Sequence, residues 1–323
     1  MNESLLETKG FHNKLKSKLL WLWSDHSIVI VFIFIFIIAA ISNNSFLSVS
    51  NLMNIVRQSS IIGIVSLGMS LVILTGGIDL SVGSALAFVG GVYILTLNST
   101  GNIFLAIIAA LLLGGLIGLF NGLLVAKGKI ASFIVTLGTM AAARSLILYI
   151  AKGGSISGKT FKFTQIANGQ FLGIAYPIYI FIFLTIFVSI VVNKTKFGRY
   201  IYAIGSNEKA ALLSAIDVDS VKVKIYVICG MLTGLAAIIE ASRLNSISSA
   251  SSGSSYELDA IAAVIIGGTR MSGGKGAIWG TFLGILILGV FNNIMNLMNI
   301  SPYLQGLVKG IIIIGAVLFQ KKE

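Results

Sequence analysis

Apolar runs of about twenty residues recur along most of this sequence, and about twenty helical residues cross the ~30 Å of hydrocarbon in a bilayer. Such a chain has few options, because backbone N–H and C=O groups in lipid must find partners within the protein. Helices are expected near 28–41, 55–75, 81–97, 103–125, 131–150, 174–192, 222–241, 257–267, 277–297 and 303–319. Only 11% of the residues are charged, against roughly 25% in a soluble domain, so too little polar surface exists for a water-soluble fold. The expected class is an all-α integral membrane protein of about ten transmembrane helices with broken or re-entrant segments. The 257–267 stretch is too short to cross alone, so its flanks extend it or it re-enters the bundle.

The net charge of +12 does not point to nucleic acid, because the 23 basic residues are scattered between apolar runs. They act as a topology signal instead, since short cytoplasmic loops are enriched in Lys and Arg. With the N-terminus inside, 16 basic residues fall in inner segments and 4 in outer ones, namely Lys152, Lys159, Lys162 and Arg243. Both termini are therefore expected in the cytoplasm. Residues 1–26 read as a cytoplasmic tail ending in the interfacial anchors Trp21 and Trp23, followed by an uncleaved helix. Residues 27–320 read as one transmembrane domain with a polar outer loop at 151–173 and an inner loop at about 193–221.

Motifs of soluble chemistry fail here. Gly153 to Lys159 and Thr160 match the spacing of a phosphate-binding loop, yet the match follows a membrane span and precedes no helix start. The two histidines, His12 and His26, lie in the N-terminal tail, so no catalytic residues and no metal site are expected. Cys229, the single cysteine, reads as a packing residue.

Polar breaks inside the apolar pattern carry the informative residues. Gly76, Gly77, Asp79, Ser81 and Gly83 interrupt two spans, where a carboxylate costs ~2.5–3.5 kcal/mol unless a partner or a wet cavity receives it. Asp79 either caps the following helix with help from Ser81 or meets substrate. Glu257 and Asp259 open a short helix and point to different faces; Arg144 and Lys309 are candidate partners for the intramembrane acids. Asn207, Glu208, Ala210, Ala211, Ser214 and Ile216 lie on an amphipathic stretch of the inner loop, suited to a membrane interface or a soluble partner. Gly76–Gly83 is echoed by Gly267–Gly274, and each is followed by Gly-x-Phe-Asn, ending at Asn121 and Asn292. The echo suggests an internal repeat.

Five stretches together resemble the sugar-importer branch of bacterial ABC permeases, with wording closest to its ribose members. They are Val72–Ser84; Val125–Gly128 with Phe133–Met140; Gly198–Ile216; Tyr256–Gly268; and Asn292–Gly310. The resemblance implies a multi-pass protein of the bacterial cytoplasmic (inner) membrane that translocates a monosaccharide. Galactose, xylose and a furanose-type signal stay open beside ribose. It also implies a second permease copy, separate ATP-binding subunits that hold the ATP, an extracytoplasmic sugar-binding protein, and no cofactor in this chain. Residues Asn207–Ile216 take the place of the family's coupling helix, and the broken-helix residues with Asn292 take that of the translocation path. The family commonly has Glu-Ala-Ala-x-x-x-Gly where this chain has Lys209-Ala210-Ala211 and ends on Ala215. The rival reading from the residues alone is an ion-coupled secondary transporter using Asp79.

Overall fold

A computed structural model describes residues 28–320, and the tail with its tryptophans lies outside the described residues. Every stretch expected to be helical is helical: α1 (Ile28–Ser42), α2 (Val49–Leu74), α3 (Val82–Thr100), α4 (Ile103–Ala126) and α5 (Ser132–Ile150) come first. A short strand β1 (Ser155–Ser157), one helical turn α6 (Gln165–Asn168) and the hairpin β2 (Gln170–Phe171) and β3 (Ile174–Ala175) fill the polar loop. Then follow α7 (Tyr176–Lys194), α8 (Lys196–Ser206), α9 (Glu208–Leu213), α10 (Val218–Leu244), β4 (Ser246–Ser248), α11 (Tyr256–Ile266), α12 (Ile278–Leu297) and α13 (Pro302–Gln320). Seven helices among the described residues are long and apolar enough to cross a membrane: α2, α3, α4, α5, α7, α10 and α12.

Polar residues punctuate this apolar text. Ser48, Asn102, Thr195, Asn207 and Asp217 each accept a hydrogen bond from a first-turn N–H of the helix they precede, which satisfies donors that lipid could not. Residues 193–221 hold two helices: α8 buries Gly198, Ile201 and Ile204 on one face, and α9, within the stretch expected from Asn207, buries Ala211.

Small residues decide how closely helices approach, as expected where lipid offers little apolar driving force for association. On α4, a Cβ at Gly114 or Gly118 would run into the Gly230 or Tyr226 carbonyl of α10. Gly280 and Gly284 of α12 lie in the same way against Gly267 and the Ala263 carbonyl beside α11. Gly276, grouped with them by spacing, precedes the helix and packs on Thr269 instead.

The repeat is real in arrangement but runs in another register. Helix α4 packs on α10 as α12 packs on α2; α3 contacts α10, α4 and α5 as α11 contacts α2, α12 and α13. Helices α2–α5 thus recur as α10–α13, with Leu74 matching Leu244 and Ser132 matching Pro302 at the helix ends. Asn121 and Asn292 fall within one residue of that register. The two glycine runs do not: they meet face to face, with the Gly274 N–H donating to the Leu74 carbonyl at 3.0 Å. The α2–α3 break lies at the α8 end of the bundle, where Gly205 abuts Leu74. The α10–α11 link starts at the opposite end, where β4 pairs with β1.

Gly118→Ala is expected to lower the thermal stability of purified protein by about 1–3 kcal/mol, because the new methyl meets backbone that cannot turn aside. Gly115→Ala, whose methyl would meet only the flexible Met231 side chain at 3.3 Å, is expected to be nearly neutral. Thermal melts in detergent compare the two.

Candidate functional site

A helix cannot pass Gly76, which adopts φ of +78°, and the chain from Thr75 to Ser81 links α2 to α3 without helical hydrogen bonding. Side chains take over the backbone's partners. Asp79 is buried, and its Oδ1 accepts from the Ser81 N–H at 2.9 Å and the Ser81 hydroxyl at 2.6 Å. Asn121 donates to the Ser81 Oγ at 3.0 Å and accepts from Thr139 at 2.6 Å. The Ile78 N–H donates to Ser132, the residue that begins α5, at 3.2 Å. Asp79 thus braces Ser81, the residue that precedes α3, without capping a first-turn N–H of that helix, and its neighbours tie α3, α4 and α5 together.

Gly76 and Gly77 also line a cleft of about 470 Å³ with Ser132, Tyr226, Lys129, Glu208 and Lys222. Glu208 and Lys222 pair at 2.8 Å, and Lys129 pairs with Asp219 at 2.6 Å. The broken helix and the first residue of α9 therefore share one cleft, although 132 positions of sequence separate Gly76 from Glu208. Beside it, Tyr202 donates to the Gly276 carbonyl at 2.9 Å. Burial pushes that phenol above its ordinary value, keeping it a neutral donor.

Helix α9 presents a different face from the one its small residues suggest. Ala211 is 4% exposed and belongs to the core, whereas Leu212 and Leu213 are 64% and 89% exposed. Asn207 caps the helix, Ser214 ends it, and the Ile216 N–H returns to the Ala211 carbonyl at 3.2 Å. Ala215 sits at φ +59° in this closing turn, a left-handed conformation that favours glycine after a helix. An arginine at Ala211 would disturb the bundle itself, and Leu213 is the residue that projects.

Gly83 and Glu257 come together elsewhere. After β4 the chain dips into the bundle, Gly253 lies against Gly83, and the Glu257 carboxylate lies beside the same glycine. This descent accounts for the shortness of α11. Arg144 holds the dip by donating to the Ser249 and Ser252 carbonyls at 2.8 and 3.0 Å, with its charge facing Glu257 and Glu240. Asp259 pairs with Lys309 of α13 at 2.9 Å. A cavity of about 40 Å³ between Asp259, Asn292, Gln58 and Ser59 has room for a bridging water, and the Asn292 Oδ1 and Ser59 Oγ that face it have no protein partner.

Lys309 and Thr139 occupy matching places on α13 and α5, so the two halves carry matching polar stations. One is Asp79, Ser81, Asn121 and Thr139; the other is Asp259, Asn292 and Lys309. The sequence reading missed Glu240, which is 4% exposed, and Thr139. A lone acid in an apolar run was the available signal for Glu240; none marked Thr139. The phosphate-loop match is a strand and turn, with β1 pairing antiparallel to β4 inside the matched residues and no long helix after it.

Residues 51–317 match the family described as branched-chain amino acid transport system / permease component. The ribose import permease protein RbsC of Bacillus subtilis (strain 168) is 46% identical over 289 residues, 89% of each chain. That of Escherichia coli (strain K12) is 42% identical over 310 residues, 94% of this chain and 95% of the relative. The L-arabinose transport system permease protein AraH of the same strain is 37% identical over 300 residues, 93% and 91% of the two chains. No solved structure matches the chain.

Lys309→Met strands the buried Asp259 carboxylate and is expected to destabilise the protein by about 3–5 kcal/mol, while adding Asp259→Asn should recover most of that loss. Thermal unfolding of the single and double variants measures the recovery; equal stability of wild type and Lys309→Met would deny the pair any such role.

Proposed function

The chain belongs to the branched-chain amino acid transport system / permease component family, and from that premise we propose that it is the membrane-spanning permease subunit of an ABC importer that translocates ribose. The observation that carries the substrate is a gradient of identity over nearly the same length. Relatives named for ribose import reach 46% and 42%, and one named for L-arabinose reaches 37%. A neutral sugar suits the inventory, because the spans offer hydroxyl, amide and glycine backbone and few unpaired charges for an ionic substrate. Asp79 spends its Oδ1 on Ser81, which favours a role in bracing the break over the ion-coupling one.

In this reading the bundle crosses the bacterial cytoplasmic membrane ten times. The seven long apolar helices cross together with α1, α13, and α11 extended by the dipping segment before it. Both termini face the cytoplasm, as the distribution of basic residues supports, so the α2–α3 break, α8 and α9 lie on the inner side. Two copies of the chain form the pathway, and separate subunits bind and hydrolyse ATP. Helix α9 docks on those subunits through Leu212 and Leu213. A push on α9 reaches the broken helix across the shared cleft, through the Glu208–Lys222 pair and the Lys129–Asp219 pair at the start of α10. Sugar arrives on a binding protein at the opposite face.

The test is Leu213→Arg in reconstituted vesicles. Leu213 is solvent-exposed, so membrane abundance should be normal while recruitment of the ATP-binding subunit and uptake of labelled ribose both fall at least tenfold, a loss of about 1.4 kcal/mol or more. Unlabelled ribose should compete for uptake better than L-arabinose. Normal recruitment and uptake in the variant would remove α9 as the coupling element. Uptake that follows an ion gradient without ATP would remove the importer reading altogether.

A further inference from the structure

The residues that mimic a phosphate-binding loop have no role in the function just described, yet the structure builds them with care. Strand β1 pairs with β4 across Ser155–Ser248, Ile156–Ile247 and Ser157–Ser246. Asn98, near the end of α3, donates to the Ser157 carbonyl at 2.9 Å and accepts from the Lys159 N–H at 2.8 Å. Gly158 donates to the Asn245 carbonyl at 2.9 Å. On the far side of the tip, Phe163 is fully buried against Tyr93, and Ser242 of α10 donates to its carbonyl at 2.6 Å while accepting from the Ala167 N–H at 3.1 Å. Both flanks of residues 158–162 are therefore fastened to the bundle.

What this rigid turn presents is charge and one ring. Lys159 and Lys162 are exposed, and Phe161 between them is 74% exposed. Leu172, at the tip of the β2–β3 hairpin, is 84% exposed. None of the 11 acidic residues of the chain falls within 151–175 or 243–255, so the whole face carries basic charge alone. Unopposed charge of one sign steers a partner of the other, and an exposed ring on a turn whose backbone is already fastened costs little backbone freedom on contact.

We propose that Lys159, Phe161 and Lys162, on the platform made by β1, β4 and α6, are the docking face for an acidic surface of the extracytoplasmic sugar-binding protein. This rests on the permease reading for the side of the membrane and for the existence of that partner. A lipid headgroup surface fits less well, because the platform is fastened to α3 and α10, two of the most deeply buried spanning helices, and so stands over the middle of the bundle and away from its lipid-facing rim.

The experiment compares wild type with Lys159→Glu/Lys162→Glu and with Phe161→Ala, each in nanodiscs of neutral lipid, using purified ribose-binding protein as the probe at low and high salt. Retained recruitment of the ATP-binding subunit certifies that each variant is folded. Wild-type affinity should fall about tenfold or more as salt rises, the charge-reversed variant should bind about tenfold more weakly at low salt with little salt dependence, and Phe161→Ala should weaken binding at both salts. Equal affinity and equal salt dependence in wild type and the charge-reversed variant would overturn the docking face while leaving the importer reading intact, since binding itself would have occurred. No binding by wild type would overturn both. Unchanged affinity for the binding protein, with weakened attachment of the charge-reversed variant to vesicles rich in anionic lipid, would assign the face to headgroups and likewise overturn the proposal.

Discussion

Where no water is available, a break in a helix survives only if protein supplies the missing hydrogen-bond partners, and this fold is organised around two such breaks. At the first, Ser81 satisfies Asp79, Ser132 satisfies the Ile78 N–H, and the Gly274 N–H reaches the Leu74 carbonyl. At the second, Arg144 takes the carbonyls of Ser249 and Ser252 as the chain descends toward Gly83. Both repairs draw on α5, through Ser132 at the first break and Arg144 at the second. The breaks thereby determine which helices lie together, and Gly83 against Gly253 brings the two breaks into contact.

The same repair appears twice with different chemistry. In the first half a hydroxyl of α5, Thr139, closes the chain of polar contacts through Asn121; in the matching place of the second half an ammonium, Lys309, meets a carboxylate. A neutral network loses little when one member moves. An ion pair in a low-dielectric setting loses much more, because either charge left alone is poorly solvated. The two halves are therefore alike in shape and unequal in how firmly they hold α5 and α13.

Most of the helices were legible because period and length in an apolar run leave no other structure that satisfies the backbone, and glycine and serine clusters marked the breaks. The closeness of Asp79 to Ser81 was legible because the partners are two residues apart, but the expected cap on α3 does not form, since Asp79 bonds Ser81 and no first-turn N–H. Thr139 and Glu240 were not legible, since their partners lie across a chain reversal, Asn121 on the preceding helix and Tyr256 on the following one, and only the packing brings them together. The glycine echo misled in a physical way. Gly76 corresponds to Gly267 in the echo, yet Gly267 packs on Gly280 while Gly76 meets Gly273 and the Ser272 carbonyl, so likeness of wording there does not report equivalent position in a repeat.

Sequence alone determined that this chain lives in a membrane, where its helices lie to within a few residues, and which loops carry the basic charge, because these depend on transfer free energy and local backbone bonding. It could not decide which way a short helix faces. Ala211 was among the residues expected on the coupling helix and Leu213 was not singled out, yet Ala211 is buried and Leu213 is nine-tenths exposed. Six residues of helix have no periodicity strong enough to fix a face, so the turn at Ala215 and the docking of α9 on α10 fix it instead. The tertiary structure likewise placed Glu208 beside Gly76 and Gly77, because a shared cleft is a property of how helices pack and leaves no trace in either segment.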